Sequence, residues 1–199
     1  MAQAPSRTAF AQHMHDEAVR TLALFPPDEI PGIYAVTFHV DSVDQDPRFP
    51  YLAMGYNTED AVARELAASQ EDPWLVRWNY AYFPSSGLEG IRALGHDPER
   101  DPDGAALHLR ETREKGLWYE EGDPEEDEFG ERLDEEFREL CVQVARRLHE
   151  GGHLVAALGR PLPIVLYNMF DTEAMFALTR AANPPELVEE FLAGDLEGP

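Results

Sequence analysis

The sequence predicts a single α+β domain over 1–199, with a mainly antiparallel sheet of about four or more strands, helices at both termini and one long helix. Three observations lead to this prediction. Several short segments alternate between apolar and polar residues, neighbouring strands are joined by hairpin-like connections, and apolar residues recur at helical spacing near both ends. Strands that follow one another in this way, with helices outside them, are typical of the α+β class.

The N-terminal third contributes one helix, two strands and a second helix. Apolar residues at helical spacing predict the first helix over about 8–24, before a group of prolines that would end it. Alternation predicts strands over 33–40 and 51–56, separated by a long hairpin connection. Asn57 is expected to cap the helix that follows, from Thr58 to near Ser69, because an amide oxygen can accept a bond from a first-turn N–H.

Aromatic residues make 74–83 the strongest predicted strand in the middle of the chain. Its tryptophans, valine and tyrosines alternate on one face, and these residue types favour strands. The Pro84 to Gly87 stretch should end this strand, and a short helix is expected over 88–94. Charges and Asp-Pro steps then predict an exposed acidic segment at about 97–128, interrupted by a helix over 105–115.

The longest predicted helix covers about 125–149. Its apolar stripe follows three- and four-residue spacing and is expected to be buried against the sheet: Phe129, Leu133, Phe137, Cys141, Val144 and Leu148. Acids near its start and basic residues near its end suit the helix dipole, and Gly151-Gly152 supplies a stop. A last strand over 163–170 and a helix over 172–182, capped by Asp171, are expected to follow. Another amphipathic helix is expected after Pro185.

Charge is the strongest compositional feature, with 39 acidic residues, 16 basic residues and a formal charge of −23. Such a surface repels nucleic acids and anionic membranes, so neither is expected as a partner. No apolar run approaches a membrane span, no secretory signal is visible, and a single cysteine suits a reducing cytoplasm. Lys115 is the only lysine. Salt-adapted proteomes share this bias, so environmental adaptation is an open alternative explanation of the acidity.

Acid is densest between Glu120 and Glu139, where twelve of twenty positions are Asp or Glu. This concentration predicts a non-catalytic protein-binding module whose partner is a basic protein, bound through long-range electrostatic attraction. An immunity protein that neutralises a basic toxin is one example of the class. The residues expected to bind the partner are Glu120, Glu121, Asp123, Glu125, Glu126, Asp127 and Glu128.

The alternative function is a zinc-dependent hydrolase. His149-Glu150-Gly151-Gly152-His153 matches the H-E-x-x-H pattern, in which two histidines one helical turn apart bind zinc and the glutamate acts as general base. Glu173 lies at a spacing that resembles the third ligand of thermolysin-like peptidases. Against this, two adjacent glycines cost about 2 kcal/mol in a helix relative to alanines. We therefore expect the helix to end at or before Gly152, the imidazoles to diverge, and no metal or cofactor to be bound.

The remaining candidate residues favour structural roles. Cys141 falls on an apolar helical stripe, which predicts a buried and inert thiol. His39 lies on the second face of its strand and is interpreted as a packed or surface histidine. The Trp74 to Tyr82 aromatics lack the basic groove of a base-stacking platform, so they are interpreted as sheet core.

Several segments together resemble a bacterial protein family, the domain of unknown function 4303 family. The similarity rests on the strand Ile33-Tyr34-Ala35-Val36-Thr37-Phe38, the turn Asn57-Thr58-Glu59, the segment Trp78-Asn79-Tyr80-Ala81-Tyr82 and the closing Asn183-Pro184-Pro185. The resemblance covers most of the chain and its motifs are structural. It implies a small acidic domain of the kind found beside toxin genes, and it implies no active-site residues.

Overall fold

A four-stranded mixed sheet lies at the centre of the protein. The computed structural model describes residues 8–194. The strands are β1 (Ile33–Ser42), β2 (Pro50–Thr58), β3 (Arg92–Gly95) and β4 (Ile164–Tyr167), in the spatial order β3-β2-β1-β4. β2 pairs antiparallel with both β1 and β3, whereas β4 pairs parallel with β1. The predicted α+β class with a mainly antiparallel sheet is therefore confirmed.

Helices surround this sheet. They are α1 (Ala9–Leu22), α2 (Glu59–Ala68), α3 (Pro73–Trp78), α4 (Ser85–Leu88), α5 (Pro102–Glu114), α6 (Glu126–Glu150), α7 (His153–Leu158), α8 (Thr172–Ala182) and α9 (Glu189–Ala193). Short 3-10 turns cover Ile30–Gly32, Val43–Gln45, Tyr80–Tyr82 and Pro185–Leu187.

The two faces of the sheet bury different clusters. On the first face, Phe38 and its neighbours on β1 and β2 pack against the apolar sides of α1 and α6. On the second face, Ala35 and Tyr167 pack with Trp78 of α3 and Phe191 of α9. Successive side chains of a strand point to opposite faces, so the alternation in the sequence of β1 supplies residues to both clusters.

Most predicted elements are present with shifted ends. The first helix, both strands of the first hairpin and the helix over 172–182 are confirmed, and Asp171 accepts a bond from the Ala174 backbone as expected. The cap of α2 is Thr58 rather than Asn57, because the Thr58 hydroxyl accepts the Ala61 N–H while Asn57 is still part of β2. The last strand is shorter than predicted and ends at Tyr167.

The long helix α6 is confirmed, and the predicted burial of its stripe holds for Leu133 and Phe137, which are 1% and 3% exposed. Phe137 packs into the main core below the sheet. Leu133 differs from the prediction because it packs with Leu117 and Tyr119 in a separate small cluster instead of on the sheet. The loop before α6 is thus packed against the helix through this separate cluster.

The predicted strand at 74–83 is wrong, because this segment forms α3 and a 3-10 turn. The Asp72 carboxylate accepts the backbone N–H groups of Trp74 and Leu75 at 2.8 and 3.3 Å, and Pro73 occupies the first helical position. A capping carboxylate followed by proline strongly favours helix initiation. These local bonds outweigh the strand preference of the aromatic residues, and Trp74 and Trp78 then share one helical face.

The predicted helix at 88–94 is also wrong, since its second half is β3. The chain leaves α4 through Gly90, which has a left-handed φ of 76°. A Cβ atom there would lie only 3.0 Å from the Met54 carbonyl oxygen. Glycine therefore lets the backbone turn tightly over β2, and Arg92–Gly95 can pair with that strand.

The segment predicted as exposed at about 97–128 is exposed only in part. Asp97, Asp101 and His108 are all buried. The Asp101 carboxylate accepts backbone bonds from Gly95 and Gly104, and His13 of α1 lies 2.9 Å from it. This carboxylate joins β3, α5 and α1, so the chain around it cannot be a solvated loop.

Two side chains, Thr179 of α8 and its C-cap residue Asn183, cover the outer edge of β4. The Thr179 hydroxyl accepts the Leu166 N–H and donates to the Leu166 carbonyl. The Asn183 amide accepts the Ile164 N–H and donates to the Ile164 carbonyl, both at 2.7 Å. The backbone N–H and carbonyl groups of Ile164 and Leu166, which point away from the sheet, are therefore all hydrogen-bonded to these two side chains.

Within residues 8–194, no helix combines the length and the apolar character that crossing a membrane would require.

Candidate functional site

The seven acids predicted to bind a partner form one surface, which we call the acidic surface. It consists of Glu120, Glu121, Asp123, Glu125, Glu126, Asp127 and Glu128, in the loop before α6 and in the first turn of this helix. Six of them are exposed and Glu126 is half-buried. Two of these acids also shape the loop. Asp123 accepts the Glu120 N–H at 3.0 Å, and Glu126 accepts the Gly122 N–H at 2.9 Å.

The charge of the acidic surface is not neutralised by neighbouring basic side chains. Among the ion pairs of residues 8–194, none includes any of the seven carboxylates. Acids further along the chain differ, because Lys115 bridges Glu111 and Glu136, and Arg138 pairs with Asp134. Arg48 attracts Glu120 without forming an ion pair with it, and the other carboxylates of the acidic surface direct their negative charge toward solvent.

A row of acids on α6 continues this surface. We call Glu128, Glu131, Glu135 and Glu139 the acidic ridge. All four are exposed, and their three- and four-residue spacing places them on one face of the helix. At 1.5 Å per residue the ridge extends for about 16 Å. Its far end, Glu139, borders a cleft between α6, α5 and α1.

The cleft has a volume of about 320 Å³. Phe10 of α1 and Phe137 and Leu140 of α6 form its apolar walls, and the ring of His108 completes the lining on the α5 side. Carboxylates of Glu111, Glu136 and Glu139 also line it. Apolar walls beneath carboxylates suit a group that is both cationic and partly apolar.

His108 belongs to a buried pair of imidazoles. Its Nδ1 lies 2.9 Å from Nδ1 of His96, so one ring must donate and the other must accept. Burial lowers the pKa of His108 to about 3, and repulsion from His96 and Lys115 acts in the same direction. Burial also lowers the pKa of His96, although a hydrogen bond with the Arg48 backbone opposes this effect. Both rings are consequently neutral at pH 7.

The hydrogen bond between the two Nδ1 atoms fits either tautomer of His108. The other nitrogen of His108, Nε2, has no hydrogen-bond partner among residues 8–194. The cleft wall thus includes one ring nitrogen that no described protein group contacts through a hydrogen bond.

The zinc-binding arrangement predicted as the alternative is not formed by the H-E-x-x-H motif. The helix ends at Glu150 and Gly152 is left-handed with a φ of 66°, which confirms the predicted stop. His149 is bonded to Asn183 at 2.9 Å, whereas the His153 ring lies against His15 at a centroid distance of 5.2 Å. Within the described part of the chain, no group of three or more potential metal ligands comes together.

A second cavity of about 540 Å³ lies at the end of the sheet's second face, beside β1 and β3. His39 lines it and is 7% exposed, and its Nε2 has no hydrogen-bond partner and lies 3.6 Å from the Asp41 carboxylate. Burial lowers the pKa of His39 despite that neighbour. The ring stacks on Tyr167 at 4.8 Å. His39 is therefore a packed, neutral histidine, one of the two roles expected from the sequence.

Cys141 is fully buried, and burial raises the pKa of its thiol far above the ordinary range. A nucleophilic thiolate is excluded at this position in the folded protein.

Sequence reasoning found the acidic surface but missed the cleft and the histidine pair. The charged sequence predicted an exposed segment on either side of the helix that carries His108, whereas His108 is on the buried face of α5 with Ala105 and Thr112. The three- and four-residue spacing of these three residues was the available signal. Nothing local in the sequence could indicate that α5 brings His108 onto His96.

Comparison with protein-family models, curated proteins and solved structures finds no match for this chain, so the resemblance to the domain of unknown function 4303 family stays a prediction.

Proposed function

We propose that this protein is a non-catalytic protein-binding module that recognises a cationic protein through the acidic surface. The observation that supports the proposal most directly is the absence of ion pairs on all seven carboxylates, within residues 8–194, although other acids of the chain are paired. Uncompensated like charges cost the folded protein free energy through mutual repulsion, and a basic partner relieves this repulsion when it binds.

Electrostatic attraction also predicts how binding should behave. Oppositely charged surfaces associate rapidly at low ionic strength, and salt screens the attraction within about 10 Å at 0.1 M. An immunity-type protein that neutralises a basic toxin is the specific form that we propose. A cytoplasmic location fits this role and fits the buried free thiol of Cys141.

The experiment compares two triple charge reversals of equal size. One variant carries E125K, E126K and E128K on the acidic surface. Its control carries E71K, E89K and E150K, which are exposed acids elsewhere. A partner captured at low salt is identified by mass spectrometry, purified, and titrated against both variants at two salt concentrations.

The proposal expects a basic partner whose affinity falls steeply with salt, falls further in the acidic-surface variant, and changes little in the control. Thermal unfolding of both variants verifies that the fold is retained. A partner affinity that is indifferent to salt, or that is equally reduced by both triple reversals, would overturn the proposed mechanism.

A further inference from the structure

The cavity of about 540 Å³ on the second face of the sheet, which we call the His39 cavity, has a floor made by three neighbouring strands. His39 of β1 is the register partner of Ala53 of β2, and Ala53 is the register partner of Ala93 of β3. Directly paired residues of neighbouring strands share a face of the sheet. The floor therefore consists of one imidazole and two methyl groups, and the space above it suits a small organic ligand.

The imidazole in this floor has a buried nitrogen that makes no hydrogen bond. His39 is 7% exposed, and its Nε2 has no hydrogen-bond partner among residues 8–194. The Asp41 carboxylate lies 3.6 Å from this nitrogen, which is beyond hydrogen-bond distance. Asp41 is instead bonded to the backbone N–H of Ser42 at 2.8 Å. Because buried polar atoms in folded proteins nearly always have a partner, Nε2 favours a ligand group that can bond with it.

Apolar side chains form the wall and the rim of the His39 cavity. Leu88, Ile91 and Met169 line it, and Ile91 and Met169 are each 38% exposed. Residues 8–194 expose five large hydrophobic side chains; two of them are on this rim, and a third, Phe170, follows Met169 in the chain. Exposed apolar surface is thus concentrated at this cavity, as is typical of a binding site. The thioether of Met169 favours contact with an aromatic ring.

Arg100 supplies a cation at the rim. Its side chain is 62% exposed, and its Nε lies 3.5 Å from the Asp97 carboxylate, which makes a long ion pair. The same carboxylate accepts the backbone N–H groups of Glu99 and Arg100 at 3.0 Å each. Asp97 therefore stays hydrogen-bonded when the guanidinium of Arg100 turns toward the cavity, where it can bind a carboxylate.

Two other charged residues line the His39 cavity without providing a cation. Arg92 is the register partner of Met54, which belongs to the core of the first face, and its guanidinium is paired with Glu17 of α1 at 2.7 Å. Glu89 is exposed, so its carboxylate can remain in water. Arg100 is therefore the basic side chain available to a ligand in this cavity.

These features define one class of ligand and its orientation. Asp41 beside His39 would repel a second anion, whereas a neutral hydroxyl can donate to the ring nitrogen or accept from it. We propose that the His39 cavity binds a small aromatic carboxylate that carries a hydroxyl group, with the carboxylate on Arg100, the ring between Ile91 and Met169, and the hydroxyl on Nε2 of His39. The site shares no residue with the acidic surface, so it is independent of the proposed function.

Three probes of increasing length test the site: para-hydroxybenzoate, para-hydroxyphenylacetate and para-hydroxyphenylpropanoate. They differ in the distance between carboxylate and hydroxyl. Binding is followed by NMR through the methyl signals of Ile91 and Met169 and the imidazole signals of His39. At least one probe should shift the signals of all three residues. The absence of such shifts with every probe, or shifts confined to residues outside the cavity, would overturn the proposal.

Two analogues of the tightest probe test its two polar contacts. The primary amide, which removes the negative charge, should bind at least about threefold more weakly because it loses a charge-assisted bond with Arg100. The analogue without the hydroxyl should bind about 2- to 12-fold more weakly through loss of one hydrogen bond to His39. Equal affinity of the amide would refute the contact with Arg100, and equal affinity of the analogue without the hydroxyl would refute the contact with His39.

A pair of matched substitutions tests the cation from the protein side. Arg100→Gln should weaken the carboxylate probe at least about threefold and leave the affinity of the amide unchanged. Arg110→Gln makes an equal charge change at an exposed position of α5 that does not line the cavity, and it should change affinity less than about twofold. Thermal unfolding verifies that both variants retain the fold. Equal weakening by the two substitutions would show a general effect of charge and refute Arg100 as the carboxylate partner.

Discussion

Acid should destabilise this protein through His108, and the size of the effect follows from its environment. The ring is buried against Phe10 at a centroid distance of 4.9 Å, and Nδ1 is bonded to His96. Its pKa is about 3 in the folded protein, compared with 6.5 for an ordinary histidine. Below pH 6.5 the unfolded chain therefore binds a proton at this position that the folded chain does not bind.

The direction and the size of the change in stability follow from this difference in proton binding between the folded and the unfolded chain. Because the unfolded state takes up the proton first, the free energy of unfolding falls as the pH decreases from 6.5 toward 3. Each pH unit in that range lowers the free energy of unfolding by about 1.4 kcal/mol. At about pH 5 the loss relative to pH 7 is then about 2 kcal/mol from His108 alone.

The perturbation is His108→Gln, which removes the titrating ring and keeps an amide that can donate to His96. Urea unfolding is followed by tryptophan fluorescence at pH 7 and about pH 5; Trp118, at 6.1 Å from the His96 ring, reports on this region. Protonation of carboxylates affects both proteins alike and cancels in the comparison. Between the two pH values the wild type should lose about 2 kcal/mol more than the variant.

A matched control is His153→Gln, which removes a half-buried imidazole from α7 that contacts neither ring of the pair. Because it retains His96 and His108, this variant should lose as much stability as the wild type between pH 7 and about pH 5. If His108→Gln and the wild type lose stability in parallel between pH 7 and about pH 5, His108 is not held neutral by burial and the reasoning is refuted.

Three further substitutions test the packing. Leu133→Ala should lower the free energy of unfolding by about 2–5 kcal/mol in urea titrations, since it removes most of a side chain that is 1% exposed, and a loss below 1 kcal/mol would contradict its burial. Asp72→Ala should cost about 0.5–2 kcal/mol by removing the cap of α3, whereas an unchanged midpoint would show that the cap is dispensable. Gly55→Ala places a Cβ against the Ser86 carbonyl oxygen, so thermal unfolding should reveal a loss of about 1–3 kcal/mol, and a tolerated alanine would contradict the close approach of α4 to β2.

The elements that were predicted correctly have a sequence periodicity that fits either a strand or a helix, but not both. β1 alternates without interruption, and α6 keeps its stripe over 25 residues, so local pattern and tertiary burial agree. The error at 74–83 arose where two local signals conflicted. Alternating aromatics favour a strand, but Asp72 followed by Pro73 initiates a helix, and the capping bonds prevailed.

Sequence identified only half of the candidate site, for a physical reason. The acidic surface is contiguous in sequence, so its charge density is visible without coordinates. The cleft combines side chains of α1, α5 and α6, and the bond between His96 and His108 depends on how α5 lies against β3. Such contacts between distant segments have no local pattern from which to predict them.

The side chains of α8 and of its C-cap residue that cover β4 also influence how copies of this protein can associate. An open edge strand is a template on which another chain can add a strand, and such pairing leads to aggregation and domain swapping. Thr179 and Asn183 already occupy the outward backbone groups of Ile164 and Leu166. At the opposite edge the Gly95 N–H is bonded to Asp101. Addition of a strand from another copy would first have to break these hydrogen bonds, at a cost in free energy that does not depend on the charge of the surface.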